Sequence, residues 1–299
     1  MGVMDLAAKL MVAKGYLPGR IYSALPIRGV ERPVFIIGCG RSGTTIFGES
    51  LSKHSKITYL NEYRHLWSSC YPETDIWTCM ANLHNGKLYF TAADAEHRKS
   101  KKLSRLFRFE TVKSGRPILV EKLPINNFRL EFIQHIFPDA RFIHIYRSGL
   151  EVARSIGVLT EQNRWFNANP YKWEKLVEYA LSKDDTKDLP DLCANPFDKG
   201  LLEWRLSTEA AVEFLKPLAS DVYLEIKYDE LVDWPVETLS RVIRFIGLGD
   251  DPEVFKFVSR SVRRKTSNMG RRFLSDKEVV LGGRLLPLSM DEEIGLAKR

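Results

Sequence analysis

Metal-ligand patterns are missing from the 299 residues. The six histidines form neither an HExxH pair nor zinc-finger spacing, and the four cysteines, Cys39, Cys70, Cys79 and Cys193, are scattered. No metal is therefore expected. Four cysteines in a chain of this length do not demand a disulfide framework, which fits a reducing compartment. Long apolar runs are scarce as well. The N-terminal stretch M-G-V-M-D-L-A-A-K-L-M-V-A-K is interrupted by Asp5, Lys9 and Lys14. It reads as a short amphipathic helix packed on the domain, with membrane-surface docking as the second reading, and not as a signal peptide or a spanning helix. A cytoplasmic protein, peripheral to a membrane at most, is expected. No RNP, KH or finger pattern accompanies the basic charge, so nucleic acid is not an expected partner.

Charge and apolar content are ordinary for a globular enzyme. The +7 formal charge favours anionic ligands or surfaces, and 44% hydrophobic residues suffice for one large α/β core. In the C-terminal half the compact basic clusters are 263–265 and 271–272, each equally well read as a solvated surface.

The most informative stretch is V-F-I-I-G-C-G-R-S-G-T-T, Val34 to Thr45. It reads as a hydrophobic strand feeding a glycine-rich phosphate loop. Gly38 and Gly43 keep the spacing of GxxxxGK[ST], but Thr44 stands at the lysine position and Thr45 at the hydroxyl position. Exposed N–H groups, the following helix N-terminus and the side chains of Arg41, Ser42, Thr44 and Thr45 can still cradle an anion. An anionic nucleotide is expected, held otherwise than ATP in a standard P-loop.

Beyond the loop, strand and helix patterns alternate. Helices are expected at 44–54, 126–137, 150–159, 201–218 and 236–246, and strands at 57–60, 118–120, 141–146 and 222–227, with 182–200 as a loop. This is an α/β chain: a single P-loop-like domain with a central parallel sheet flanked by helices. The expected division is an N-terminal helical extension over 1–32, a main domain over 33–275 and a tail over 276–299. Within the main domain, 66–117 and 160–200 read as insertions. Parallel sheets gather ligands beyond the carboxyl ends of their strands, where Asn61 to His65, Lys122 and Arg147 fall.

Together these segments resemble the sulfotransferases that use 3′-phosphoadenosine 5′-phosphosulfate (PAPS), in particular their bacterial and tyrosylprotein-sulfotransferase-like branch. The resemblance runs over roughly 33–270. R-S-G-T-T, Arg41 to Thr45, resembles the family's 5′-phosphosulfate loop, and Gly40 precedes it. R-S-G-L-E-V-A-R-S, Arg147 to Ser155, resembles the 3′-phosphate motif, in which the arginine and the final serine contact the extra phosphate. F-P-D-A-R-F-I-H-I-Y-R, Phe137 to Arg147, resembles the approach to that arginine. Y-D-E-L-V, Tyr228 to Val232, resembles the segment whose tyrosine helps hold the nucleotide. R-K-T-S-N-M-G, Arg264 to Gly270, is similar to a closing loop, which would place Lys265, Asn268, Met269 and Gly270 at the donor. Leu159 stands where the family has an arginine after the 3′-phosphate serine.

The resemblance implies transfer of a sulfonate from PAPS to an acceptor hydroxyl, with the bisphosphate PAP as product and no metal required. Glu62 matches the glutamate that activates the acceptor; a carboxylate near pKa ~4 need only collect the proton as the hydroxyl attacks sulfur. Lys122 matches the lysine that approaches the bridging oxygen, with E-K-L-P replacing the family's more polar phrase. Arg41 is assigned a catalytic as well as a binding part. His54, His65 and His144 are weaker base candidates. Arg64, His65 and Trp67 are expected to bind the acceptor, and Trp77, Trp165 and other aromatics also suit its cleft or the core. A small-molecule, glycan or lipid hydroxyl is favoured over protein tyrosine. Two other readings stay open: a P-loop nucleotide or small-molecule kinase, which ordinarily needs the missing lysine and Mg²⁺ ligands, and a non-catalytic phosphonucleotide-binding module.

Overall fold

A computed structural model describes residues 17–262, apart from 79 and 169. Five strands, β1 (Val34–Ile37), β2 (Ile57–Asn61), β3 (Ile118–Lys122), β4 (Arg141–Tyr146) and β5 (Tyr223–Lys227), form one sheet in the order β2-β3-β1-β4-β5. Every pairing is parallel; Val34 stands opposite Val120 on one side and Arg141 on the other. Connections between parallel neighbours must cross a sheet face, so helices cover both faces.

Strand alternation divides the core in two. Phe35, Ile37, Leu119 and Phe142 face one cluster with Trp67, Phe107, Phe132 and Trp204, while Val34, Ile36, Val120, Ile143 and Ile145 face another with Phe47, Leu51 and Leu239. Full burial of each such side chain contributes about 1.5–3 kcal/mol. V-F-I-I carries no polar residue because both of its faces are covered.

Several expected boundaries shift. The stretch 126–137 is not one helix: a 3-10 turn, Pro124–Phe128, is followed by a helix at Leu130–Ile136. The break holds Asn127 where its Oδ1 accepts from Gly38 N at 2.8 Å and its Nδ2 donates to Ser207 Oγ at 2.9 Å. The stretch 182–200 is not all loop. Asn195 caps a helix over Pro196–Leu215, its side chain accepting from Phe197 and Asp198 N–H, with Pro196 at the first helical position. Proline there lacks only an N–H that the helix could not use. The first helix after β1 stops at Leu51, and a helix at Pro252–Ser261, capped by Asp251, extends the fold beyond the expected elements. Of the N-terminal extension, Leu17–Ala24 is helical and packs on the long helix His97–Ser114, with Tyr22 and Phe109 rings 5.3 Å apart; residues 1–16 lie outside the described residues.

Candidate functional site

The carboxyl ends of β1, β2, β3 and β4 deliver Gly38 to Thr45, Glu62, Lys122 and Arg147 to one edge of the sheet. In the loop after β1, Gly43 has φ +90°, and a Cβ on it would come within 2.2 Å of the Tyr228 ring. Only glycine fits between that ring and the helix start. Gly40 is confined differently: a Cβ there would meet the Trp165 ring at 2.6 Å. Arg41, Glu62 and Trp165 hold left-handed backbone with φ of 76°, 56° and 50°, conformations that non-glycine residues adopt at a cost and that concentrate at functional sites.

A cavity of 620 Å³ opens beside the loop. Arg41, Thr44, Thr45, Arg147, Ser155 and Tyr228 line it, together with Glu49, Arg154 and Leu159. Arg41 Nε donates to Ser155 Oγ at 3.0 Å, and Arg147 lies over the Tyr228 ring at 4.5 Å while its Nε donates to Glu151 at 2.9 Å. Trp204 Nε1 donates to the Arg147 carbonyl at 3.1 Å and so fixes the backbone that presents the guanidinium. Burial lowers the Arg41 pKa, and the charges of Arg147 and Arg164 lower it further. Bringing in an anion relieves that repulsion. Ser42 Oγ is buried and makes no hydrogen bond, and the first N–H groups of the helix at Thr44 lack intrahelical acceptors. This donor set fits a phosphate or sulfate group.

Lys122 ends β3 and is 1% exposed. Its Nζ donates to Glu62 Oε1 at 2.8 Å and to Thr45 Oγ1 at 3.1 Å. Glu62 Oε2 accepts from Arg64 Nη2 at 2.7 Å, and Glu62 N–H donates to the Lys122 carbonyl at 2.8 Å. Burial pushes the Glu62 carboxyl up, but the hydrogen bond and charge of Lys122, then those of Arg64, outweigh it and leave Glu62 below its ordinary value. It is therefore ionised at neutral pH.

A narrow cavity of 60 Å³ adjoins on the Glu62 side, lined by Gly40, Glu62, Arg64, Trp77, Phe128, Trp165, Lys172 and Glu203 among others. Lys172 and Glu203 carry no motif of their own. Glu203 lies inside the helix Pro196–Leu215, buried at a position that helical spacing turns toward the cavity, and Lys172 reaches it from Pro170–Leu181. Arg154 and Glu49 line the wide cavity without a role in either motif; of the two, only Arg154, beside Ser155 in a basic motif, carries a signal in the sequence.

Not every expected residue reaches a cavity. Trp67 is a correction: it is 1% exposed, packed against Phe107 and Phe132, with Nε1 donating to Glu121 at 3.2 Å. The helix Arg64–Cys70 turns that position inward, so Trp67 is part of the core and lines neither cavity. Tyr71 and Phe90 are fully buried as well. His65 lies outside both linings, its ring 5.2 Å from that of Tyr63. His54 bonds the Gly249 carbonyl and His144 pairs with Glu225, each away from these cavities. Lys265, Asn268, Met269 and Gly270 lie outside the described residues. Among the described residues there is no cluster suited to a metal ion, and no helix is long and apolar enough to cross a membrane.

The sulfotransferase-family model matches residues 33–252. Solved structures of similar fold include a sulfotransferase domain from the curacin biosynthetic pathway, 14% identical with a TM-score of 0.56, covering 87% of this chain and 100% of that one. Another is a sulfotransferase domain from the Synechococcus PCC 7002 olefin synthase, 16% identical with a TM-score of 0.52, covering 88% and 98%. A third is a sulfotransferase from Mycobacterium avium, 14% identical with a TM-score of 0.53, covering 95% and 81%. An uncharacterized protein of Aquifex aeolicus (strain VF5) is 22% identical over 281 residues, taking in 78% of this chain and 35% of the relative. The chain thus spans about a third of the length of that curated relative.

Proposed function

We propose, since this chain belongs to the sulfotransferase family, that it transfers a sulfonate from PAPS to an acceptor hydroxyl by direct in-line displacement. The observation that carries this reading is the placement of Lys122 Nζ within hydrogen-bond reach of both the phosphate loop, at Thr45, and the carboxylate Glu62. One cation thereby joins the place where an anion would leave to the group that would collect a proton.

When bound, PAPS supplies the sulfonate and departs as PAP. Arg41, Ser42, Thr44 and Thr45 would hold its 5′ side; Arg147 and Ser155 would hold the 3′-phosphate, with Tyr228 closing the wall. Lys122 stabilises charge growing on the bridging oxygen, and Glu62, already ionised, accepts the hydroxyl proton. A carboxylate base supports the tyrosylprotein-sulfotransferase-like branch over one with a histidine base. Trp77, Trp165 and Lys172 come from the stretches 66–117 and 160–200, which supports an acceptor-side role for both within a main domain over 33–275. The acceptor is then a small-molecule, glycan or lipid hydroxyl.

Isothermal calorimetry tests the donor assignment. PAP should bind without divalent metal and more tightly than adenosine 5′-phosphate, by roughly ten- to a hundredfold for one charge-assisted contact of about 1.5–3 kcal/mol. Arg147→Ala and Ser155→Ala should each narrow that gap. Equal affinity for the two nucleotides would remove the 3′-phosphate site, and a strict Mg²⁺ requirement would favour a kinase.

A further inference from the structure

Trp165 is held on three sides. Its Nε1 donates to Glu203 Oε2 at 2.7 Å, Lys172 Nζ lies 4.2 Å from its ring, and its Cη2 edge fills the space that a Cβ on Gly40 would occupy. The clamp is itself rigid: Lys172 Nζ donates to the other oxygen of the buried Glu203 at 2.5 Å. The backbone of Trp165 pays for this placement with φ +50°. Strain of that kind persists only where surrounding contacts over-determine it.

The clamped ring stands between two chemistries. Gly40 precedes Arg41 of the phosphate loop, and Glu62 lines the same narrow cavity as Trp165. At 60 Å³ that cavity is far smaller than the roughly 300–1,000 Å³ of pockets that enclose a whole ligand. It has room for about two water-sized groups, at about 30 Å³ each. A hydroxyl on an unbranched CH₂ fits that space; a hydroxyl on a branched or ring carbon brings a second substituent to the same depth, where Trp165 stands.

We infer that Trp165, clamped by Glu203 and Lys172, is the specificity-determining wall of the acceptor site, admitting primary alcohols and keeping bulkier hydroxyls and bulk water from the reacting centre. The inference rests on the sulfotransferase reading. In the productive reaction the hydroxyl oxygen forms a bond to sulfur, the bond from sulfur to the bridging phosphate oxygen breaks, and Glu62 takes the proton. With water in place of the alcohol, the water oxygen bonds to sulfur and the same bridging bond breaks, giving PAP, inorganic sulfate and two protons, one taken by Glu62 and one lost as hydrogensulfate ionises. Keeping that second reaction slow requires a closed wall.

Two readouts on native, Trp165→Ala and Trp165→Phe proteins test it, each after calorimetry has shown PAP binding. The first is PAPS breakdown to sulfate and PAP without any alcohol. Trp165→Ala should raise it about tenfold, whereas Trp165→Phe, whose shorter ring fills only part of the space beside Gly40, should raise it less. The second is mass spectrometry of sulfate esters formed from equal 1-hexanol and cyclohexanol. The native protein should make hexyl sulfate in clear excess, and Trp165→Ala should bring the two products toward equal amounts. Absence of hexyl sulfate from the native protein, equal products from it, or unchanged hydrolysis and selectivity in Trp165→Ala would each overturn the inference. Failure of native protein to bind PAP would instead overturn the donor reading beneath it.

Discussion

The two cavities share a boundary at Gly40 and Arg41 but differ in charge balance. The wide one, 620 Å³, is lined by Arg41, Arg147 and Arg154 with Glu49 and Glu151, so arginines outnumber carboxylates even with Arg147 and Glu151 paired at 2.9 Å; it also borders a loop with an unbonded buried hydroxyl at Ser42. In the narrow one, 60 Å³, each cation touches a carboxylate: Arg64 lies on Glu62 at 2.7 Å and Lys172 on Glu203 at 2.5 Å. Excess positive charge with unfilled donors suits a multiply charged ligand, because the ligand completes the electrostatics. Paired charges in a tight space suit a neutral group, because any net charge would break a pair already made. Lys122 is the seam, bonded to Thr45 of the wide cavity and to Glu62 of the narrow one.

Cutting the seam should have the largest effect. Lys122→Ala and Glu62→Gln should each slow single-turnover sulfonate transfer by roughly a hundred- to thousandfold, about 2.7–4 kcal/mol. PAP affinity should change far less, as the Arg147 and Ser155 contacts remain. Near-native turnover in either variant would leave that residue a structural partner and dissolve the contrast at its midpoint. The rate of the native protein should hold as pH falls until it drops below the ordinary carboxylate range, since Lys122 and Arg64 hold the Glu62 pKa down; a stopped-flow pH profile reads this.

A change confined to the wide cavity sharpens the contrast from the other side. Gly43→Ala places a methyl against the Tyr228 ring and forces a side chain into φ +90°, a strain of about 1–3 kcal/mol. The urea midpoint should fall accordingly and PAP affinity should weaken by roughly tenfold. The preference for 1-hexanol over cyclohexanol should stay native. A lost preference would mean that the two cavities are not independent.

An effect on stability alone, with no change in transfer, lies under the narrow side. Burial pushes the Glu121 carboxyl up to about 8, with hydrogen bonds from Trp67 and Asn126 and the charge of Lys122 opposing only in part. Between the ordinary glutamate value and about 8 the folded chain therefore keeps a proton that the unfolded chain has released. Stability falls as pH rises through that window and levels off above it. Glu121→Gln should remove the decline, which runs at about 1.4 kcal/mol per pH unit inside that window, and urea titrations at several pH values would detect the difference. An equal decline in the variant would mean that Glu121 is ionised in the fold.

The wide cavity was largely legible in the sequence, because its parts are local. Gly38 to Thr45 and Arg147 to Ser155 are each one strand end running into one helix, so spacing sets which side chains within each segment lie together, and the family resemblance joins the two segments in one site. The five strands were legible for the same reason. What needed the tertiary structure was the narrow cavity. Trp67 and Trp165 are equally aromatic in the sequence, yet one is closed into the core by Phe107 and Phe132 while the other is clamped at the site by Glu203 and Lys172. Glu203 was unreadable as a site residue, since a helical pattern over 201–218 does not say which of its carboxylates packs against Trp165 and Lys172. Backbone hydrogen bonding and the helix and strand periods act over a few residues, and those the sequence by itself determined. Which carboxylate meets which cation across 31 positions, from Lys172 to Glu203, depends on how separate helices pack on the sheet, and only the tertiary structure decided it.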